Sequence, residues 1–509
     1  MERDDDWSAF LVKIGPEDDY KHLKAPLRSM GTVDDIVEIL ATDGRVALLK
    51  AFKLAGVERL AERQALANAV GKLVRQQLPH AIWPGDPLLF FTPWNWAIFN
   101  SVAITATPGA YAKVAWRGGA AEGHIEIGVD SSEAPNTPFM TLSFSLDASP
   151  DSAVHEVVPH PGSVERESII RVSLERLGLT GAPASSSEVH TLTIGVLNSV
   201  QRYDRWGSAS GSNGGGATHA NRLPGAALRL KFIRLPAGAV AAPPPLRPRR
   251  MLAFGDSIVE GVGSGYKKGS AGDLKANNAL STWAAHVAGA LECECSSVGY
   301  GRLGWAVDGN GDVPPFVCTG GDARCSWGHV FDGVARTFEA CAPDYLFVSL
   351  GTNDGLIHGE RADVHTLVSA ISTWLARQRS AVGPHAHIVV CVPFGGFGGP
   401  RRHPLDVLPR AVGAYQHGCG GDPRCHLLDL GEDAALHLTG FRYNQFGAFE
   451  MTSESADGIH PTHARHEQLA QMVLRAVRAL LAATTDSPAS SAAAGANAGT
   501  AADVVADVS

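Results

Sequence analysis

The first 80 residues carry apolar side chains at the spacing of helices. Segments 33–40 and 46–54 each place their hydrophobic residues on one helical face. Gly56 interrupts the second segment, and a third helical pattern covers 62–74. These patterns predict a small helical domain over residues 1–80.

From about residue 84 the hydrophobic pattern changes to the alternation of half-buried strands. Clusters of Gly, Pro, Asn and Ser separate the alternating segments, which favours an antiparallel sandwich over strand–helix–strand units. We therefore predict a β-sandwich, jelly-roll-like domain over residues 84–235, with a flexible Gly- and Ser-rich surface loop at 206–216. The alternating segments are 114–116, 124–129, 142–146, 169–172, 189–196 and 227–232.

A third pattern begins after the proline-rich stretch 236–250, which we interpret as a stiff linker. Beyond it, short apolar segments alternate with helical ones, as in α/β domains whose strands are covered on both faces. Residues 251–482 are predicted to form such a domain, ending in a helix from about 462 to 482. The Ala- and Ser-rich tail, 483–509, is predicted to be disordered. The predicted α/β strands are 251–254, 345–350, 388–392 and 427–430.

Charge and hydropathy exclude several classes of protein. The formal net charge is -9, which argues against nucleic acid as a partner because phosphate binding needs a basic surface. The acidic start, residues 1–6, lacks the apolar core of a secretory signal. No apolar run reaches the ~18 residues that a membrane span needs. These features predict a cytoplasmic protein with no membrane span.

The cysteines and histidines do not form a metal-binding pattern in the sequence. All eight cysteines lie within 293–425, and the pairs 318/325 and 419/425 are spaced more widely than typical zinc ligands. They are either buried or loop thiols or, in an oxidising compartment, turn-clipping disulfides. Asp354 has no companion ligand near it, while His463 and His466 suit surface or packing positions. The sequence therefore predicts no metal and no cofactor.

Three short motifs place reactive side chains after predicted strands or before a helix. Strand 251–254 runs into Gly-Asp-Ser257, which sets a hydroxyl at the carboxyl end of a strand and its amide at a helix N-terminus. Asn353 follows strand 345–350, where its side chain can donate to a developing oxyanion. Asp457 precedes His460 by three residues, so its carboxylate can orient an imidazole that accepts the serine proton. Each motif alone also fits a helix cap, an Asx turn or a surface loop.

Together the motifs resemble the SGNH (GDSL) hydrolases, a family of esterases and lipases, over about residues 250–482. The resemblance implies a flavodoxin-like three-layer α/β/α fold. It implies that Ser257 is the nucleophile, His460 the general base and Asp457 the orienting acid. The amide of Ser257 and the side chain of Asn353 are then expected to bind the oxyanion.

The fourth family motif departs from the family pattern. The family has a glycine after a strand, and its amide is a further oxyanion donor. Counting along 296–305 puts Arg302 at that position, with Gly301 and Gly304 beside it. Every residue except proline carries an amide hydrogen, so Arg302 or Gly301 is the expected donor. The Arg302 side chain also suits an anionic or heavily hydroxylated substrate.

The β domain suggests a substrate class by resemblance. A β-sandwich before an SGNH domain is similar to the layout of some carbohydrate esterases, which remove acetyl groups from polysaccharides. Four aromatic residues either stack on sugar rings or fill the sandwich core: Trp94, Trp96, Tyr203 and Trp206. The leading hypothesis is a serine esterase that forms an acyl-enzyme and deacetylates a carbohydrate.

Two alternatives and one possible partner stay open at this stage. The alternatives are a lipase or thioesterase acting on longer acyl chains, and a non-catalytic binding or scaffold protein. The stretch 56–66 resembles a helix of a sterile-alpha-motif domain, which implies a protein partner for the helical domain. A helical cap packed on the next domain is the alternative interpretation.

Overall fold

The computed structural model of this 509-residue chain describes most, but not all, of its residues. The described residues are 7, 10, 11, 20–77, 81–99, 101–119, 123–130, 135, 137–147, 153–158, 167–179, 188–207, 223–265, 272–319, 324–356, 363–394, 402–431, 441–443, 449–451 and 459–485. The predicted loop at 206–216 lies outside them from residue 208 onward, and the predicted tail lies outside them after residue 485.

The amino-terminal region is helical, as its apolar spacing predicts. It contains a 3-10 turn at Lys21–Leu23 and helices α1 (Lys24–Arg28), α2 (Val33–Leu54) and α3 (Leu60–Gln77). Segments 33–40 and 46–54 belong to one helix, because no proline separates them and the Thr32 side chain caps its start. The helices share a small core that includes Leu27, Ile36, Leu48, Phe52, Val57 and Leu66.

Two antiparallel sheets pack face to face over residues 81–242. One sheet runs in the order β3 (Ala97–Phe99), β4 (Val102–Thr105), β11 (Leu228–Arg234), β6 (His124–Asp130), β9 (Glu167–Ser173), with β1 (Ala81–Ile82) beside β11. The other runs β12 (Ala239–Ala242), β5 (Tyr111–Gly118), β10 (Val189–Ser199), β7 (Met140–Leu146), β8 (Val154–Val157), with β2 (Leu89–Phe91) beside β5. Inward-facing side chains form the core, among them Trp116, Ile127, Leu142, Phe144, Ile194 and Leu230.

All six alternating segments of the sequence lie in strands of this sandwich. The stretch 236–250, which we interpreted as a linker, contains β12 and the start of the next strand. Its prolines lie at 236 and at 243–245 and 248, so residues 239–242 keep the amide hydrogens that pair with β5.

The carboxyl-terminal region is a five-stranded parallel sheet between two layers of helices. Its strands are β13 (Arg249–Gly255), β14 (Cys293–Gly299), β17 (Tyr345–Ser349), β18 (His387–Cys391) and β19 (Cys425–Leu428), in the order β14-β13-β17-β18-β19. Counted along the chain this is the 2-1-3-4-5 order of flavodoxin-like folds. The predicted three-layer α/β/α architecture is confirmed.

The helices of this region divide between the two faces of the sheet. On one face lie α6 (Trp283–Ala290) and α10 (His463–Thr485); on the other lie α8 (Val364–Val382) and α9 (Arg402–Gly418). Shorter elements are α4 (Ser257–Glu260), α5 (Asp273–Ala276), a 3-10 turn at Ala279–Ser281 and α7 (Thr352–Leu356). Two hairpins, β15 (His329–Phe331) with β16 (Val334–Ala335) and β20 (Phe441–Tyr443) with β21 (Phe449–Met451), complete the described elements.

The sandwich and the α/β region share buried contacts. Trp94 and Trp206 of the sandwich belong to the same hydrophobic cluster as Phe254 and Val348 of the parallel sheet. A buried ion pair crosses the boundary: Lys113 Nζ lies 2.7 Å from Oε1 of Glu294, whose side chain is 2% exposed. The two regions therefore form one packed unit.

Two further findings concern membrane spans and disulfides. No described helix is long and apolar enough to cross a membrane. All eight cysteines are among the described residues, and no disulfide joins any of them.

Candidate active site

Three strands of the parallel sheet end level with one another and bring the motifs together. Gly255 at the end of β13 pairs with Gly299 of β14 on one side and with Ser349 of β17 on the other. The segments that follow these strands therefore emerge at the same edge of the sheet. This edge lies where the strand order reverses, which is where open α/β sheets bind ligands.

Ser257 and His460 meet at this edge. Nε2 of His460 lies 2.8 Å from Oγ of Ser257, although the two residues are 203 positions apart in the chain. Both side chains are half-buried, so the hydroxyl can still be reached. The distance is that of a hydrogen bond between a nucleophile and its general base.

Position 263 requires glycine because the backbone there passes close to His460. Gly263 has φ 72°, and a Cβ built there would lie 2.9 Å from Cβ of His460. The next residue, Ser264, accepts a hydrogen bond of 3.0 Å from the amide of His463. The loop after α4 thus holds the turn that carries His460.

Asp256 is buried beside the nucleophile. Its carboxylate caps α4 by accepting a 2.9 Å hydrogen bond from the amide of Ile258. Burial raises the pKa of Asp256 to about 6, against opposing effects of this hydrogen bond, of the Thr352 side chain and of the nearby His460. Asp256 therefore places a costly negative charge close to His460.

The turn after β14 contains the residues expected to complete the oxyanion site. Arg302 is exposed and has φ 64°, the backbone region that favours the glycine of the family pattern. The amide of Gly301 instead donates to the carboxylate of Glu260, 2.5 Å away. Its hydrogen is thus directed to a buried acceptor in this conformation, which favours Arg302 over Gly301 as the expected donor.

Asn353 and Asp354, in α7 after β17, form hydrogen bonds to the same turn. Nδ2 of Asn353 donates to the carbonyl of Leu303 at 3.0 Å. The carboxylate of Asp354 accepts from the amides of Trp305 at 2.8 Å and Ala306 at 2.9 Å, and burial raises its pKa. An amide group carries two hydrogens, so Asn353 can hold the turn and still donate to a substrate oxygen.

Glu260 anchors the site to the sandwich domain, a role that our sequence reasoning missed. Its carboxylate lies 2.5 Å from Nη1 of Arg205, and both side chains are at most 1% exposed. It also accepts from Nε2 of Gln201 at 3.0 Å, in addition to the amide of Gly301. Arg205 and Gln201 lie in the loop after β10, far from Glu260 in sequence, so no spacing pattern signals this contact.

The remaining predicted site residues have different outcomes. Asp457 lies outside the described residues. Trp94, Trp96 and Trp206 are 6%, 8% and 2% exposed, so they are core residues and cannot stack on sugar rings. Tyr203 is half-buried.

Comparisons with known proteins concern the family and the fold. Residues 253–468 match the model of the GDSL-like lipase/acylhydrolase family. No curated protein sequence matches the chain.

Several solved structures are similar in fold. A family two carbohydrate esterase from Clostridium thermocellum, in complex with cellohexaose, has 16% identity and a TM-score of 0.54, covering 77% of this chain and 99% of that one. A family two carbohydrate esterase from Cellvibrio japonicus has 16% identity and a TM-score of 0.55, covering 79% and 97%. An acetyl xylan esterase from Butyrivibrio proteoclasticus has 14% identity and a TM-score of 0.53, covering 79% and 98%. Because the α/β region is less than half of this chain, these matches also include the sandwich.

Proposed function

Because residues 253–468 form a GDSL-like lipase/acylhydrolase domain of the SGNH serine esterase type, we propose that this esterase removes acetyl groups from a carbohydrate through an acyl-enzyme on Ser257. The observation that carries the proposal is the 2.8 Å contact between Oγ of Ser257 and Nε2 of His460 at the carboxyl edge of the sheet. A serine hydroxyl is a weak nucleophile until an adjacent base accepts its proton.

The proposed reaction has two halves. Oγ of Ser257 attacks the ester carbonyl while its proton passes to Nε2 of His460. The tetrahedral intermediate then collapses, the C–O bond to the sugar breaks, and His460 returns the proton to the departing sugar hydroxyl. A water molecule, deprotonated by His460, attacks the acyl-enzyme and releases acetate and Ser257.

Three donors are proposed to stabilise the negative oxygen of each tetrahedral intermediate. They are the amide of Ser257 at the start of α4, the amide of Arg302 and the Nδ2 group of Asn353. Ser257 follows β13, Arg302 follows β14 and Asn353 follows β17. These three strands end side by side in the sheet. Donors fixed before the reaction stabilise developing charge without reorganisation.

Asp457 is proposed to orient His460 and to stabilise its imidazolium form, as the Asp-x-x-His spacing implies. Asp256 is a second carboxylate near the same ring. Its negative charge and the positive charge of the His460 imidazolium attract each other.

An acetylated carbohydrate is the proposed substrate because of the domain layout. The similar solved structures that are named as family two carbohydrate esterases and as an acetyl xylan esterase extend over the sandwich as well as the α/β region. In this chain the sandwich is also joined to the site through the buried pair of Arg205 and Glu260. This contact supports a role for the sandwich in binding the alcohol part of the ester.

Fluorophosphonate labelling combined with an ester series tests the proposal. The wild-type protein should be labelled at Ser257, and Ser257→Ala should abolish labelling and lower turnover by several orders of magnitude. The matched control is Ser369→Ala, an exposed serine on α8, which should behave as wild type. Labelling that persists in Ser257→Ala would overturn the nucleophile.

The substrate class is tested separately. Hydrolysis of p-nitrophenyl acetate should exceed that of p-nitrophenyl octanoate, and acetylated xylan should release acetate. A preference for octanoate would instead favour a lipase or thioesterase. Labelling of Ser257 without hydrolysis of any ester in the series would refute the deacetylation proposal while keeping the nucleophile.

A further inference from the structure

Two histidines and a glutamate converge where α6 packs against α10. His286 lies on α6, while His463 and Glu467 are one turn apart at the start of α10. Each offers one ligand atom, and these three atoms all lie within 4.8 Å of one another. Among the described residues this is the one such group that could hold a metal ion.

His286 is oriented as metal-bound histidines usually are. Its ring is hydrogen-bonded to the backbone carbonyl of Ser281. Its Nε2 is buried and has no hydrogen-bond partner among the described residues. A carbonyl that accepts from one ring nitrogen fixes the tautomer and leaves the other nitrogen as a ligand.

One of the three distances between ligand atoms is close to that expected around a bound transition-metal ion, and the other two are at most 4.8 Å. Nε2 of His463 lies 3.2 Å from Oε1 of Glu467. Ligands about 2.1 Å from a tetrahedral zinc ion are roughly 3.4 Å apart, so this pair already has the required separation. The side chains of His463 and Glu467 are 52% and 51% exposed, so they can make the small rotation that brings them to His286.

We propose that His286, His463 and Glu467 form a binding site for a divalent transition-metal ion, with Zn²⁺ as the best match. Two imidazoles and one carboxylate are ligands that zinc accepts, and water can occupy the fourth position. The sequence predicts no metal because His286 is distant in the chain from the other two ligands.

The site lies beside the catalytic turn without using the proposed nucleophile. His463 follows His460 by three residues, and its amide donates to Ser264 in the loop after α4. A bound ion would join α6 to the first turn of α10 and so brace the segment that carries His460. Because an ion that binds only the folded state stabilises it by mass action, Zn²⁺ should raise the melting temperature.

Zn²⁺ titration by calorimetry tests the site on the full-length, untagged protein after treatment with chelator. Wild type should bind one equivalent, and its melting temperature should rise with added Zn²⁺. His463→Ala and Glu467→Gln change exposed side chains, so they should fold normally, and each should weaken this binding at least ~10-fold. The matched control is His417→Ala, an exposed histidine at the end of α9, which should bind as wild type does.

Two results would overturn the inference. The first is the lack of stoichiometric Zn²⁺ binding by the wild-type protein. The second is binding that His463→Ala and Glu467→Gln leave unchanged, which would assign the ion to other residues, such as the cysteines. Fluorophosphonate labelling of Ser257 is measured separately, on the wild-type protein, and does not depend on whether Zn²⁺ binds at these residues. The metal inference and the proposed esterase function can therefore fail separately.

Discussion

Replacing Asp256 with asparagine should stabilise the protein at neutral pH. Asparagine has nearly the same shape, can accept the hydrogen bond from the amide of Ile258 and remains a good helix cap. Its Nδ2 group can donate to the Thr352 hydroxyl, which accepts as well as donates. The substitution therefore removes the buried charge while keeping the packing.

The size of the effect follows from the pKa of Asp256. Burial raises this pKa from 3.8 to about 6, and each pKa unit corresponds to ~1.4 kcal/mol. Above pH ~6 the carboxyl is ionised in both the folded and the unfolded state, but ionisation is less favourable in the folded protein. This difference lowers the free energy of unfolding by ~3 kcal/mol. Below pH ~4 the carboxyl is protonated in both states and the cost disappears.

The assay is urea unfolding of wild type and Asp256→Asn between about pH 4 and pH 8. The free energy of unfolding of the variant should match wild type at pH ~4 and exceed it by up to ~3 kcal/mol above pH ~6. The matched control is Asp363→Asn at the exposed cap of α8, where hydrogen bonds from Thr366 lower the pKa of the carboxyl. This control should give no stabilisation at neutral pH.

The reasoning fails if the gain of Asp256→Asn is the same at every pH, or if the variant is less stable than wild type at pH ~8. Turnover should fall in the same variant, because the imidazolium formed at His460 loses a neighbouring negative charge. Stability and activity would then change in opposite directions, as is common at active sites.

Three other predictions test the oxyanion site and the sandwich contacts. Asn353→Ala should lower kcat ~100- to 1000-fold with little change in KM, because its donor acts mainly on transition-state charge; a change confined to KM would contradict this. Arg205→Met should lower the free energy of unfolding in urea by ~3–5 kcal/mol by leaving Glu260 buried without its cation, and adding Glu260→Gln should restore part of the loss. A protein limited to residues 251–482 should not unfold cooperatively, whereas a protein of residues 81–485 should unfold cooperatively, because the sandwich and the α/β region share a core. Cooperative unfolding of the shorter protein would show that the shared contacts are dispensable.

Much of the α/β architecture follows from local sequence. Strands covered on both faces are short and apolar, and β13, β17, β18 and β19 have that character. In contrast, β14 (Cys-Glu-Cys-Ser-Ser-Val-Gly) contains mostly small or polar residues. Its Glu294 is buried because Lys113 and Tyr111 of the sandwich supply partners. A strand whose polar residues are satisfied by another domain gives no apolar signal of its own.

The sequence by itself was enough to find the three motifs, which lie at strand ends and before the last helix. It was also enough to select Ser257, Asn353 and His460 as candidate site residues. This was possible because parallel strands end at a common edge, so residues that follow them meet wherever they lie in the chain. Only the tertiary structure decided the rest: the burial of Asp256, the direction of the Gly301 amide, the Arg205–Glu260 pair and the grouping of His286 with His463. Each of these depends on which surfaces pack together, and burial and long-range pairing are properties of packing that local spacing does not encode.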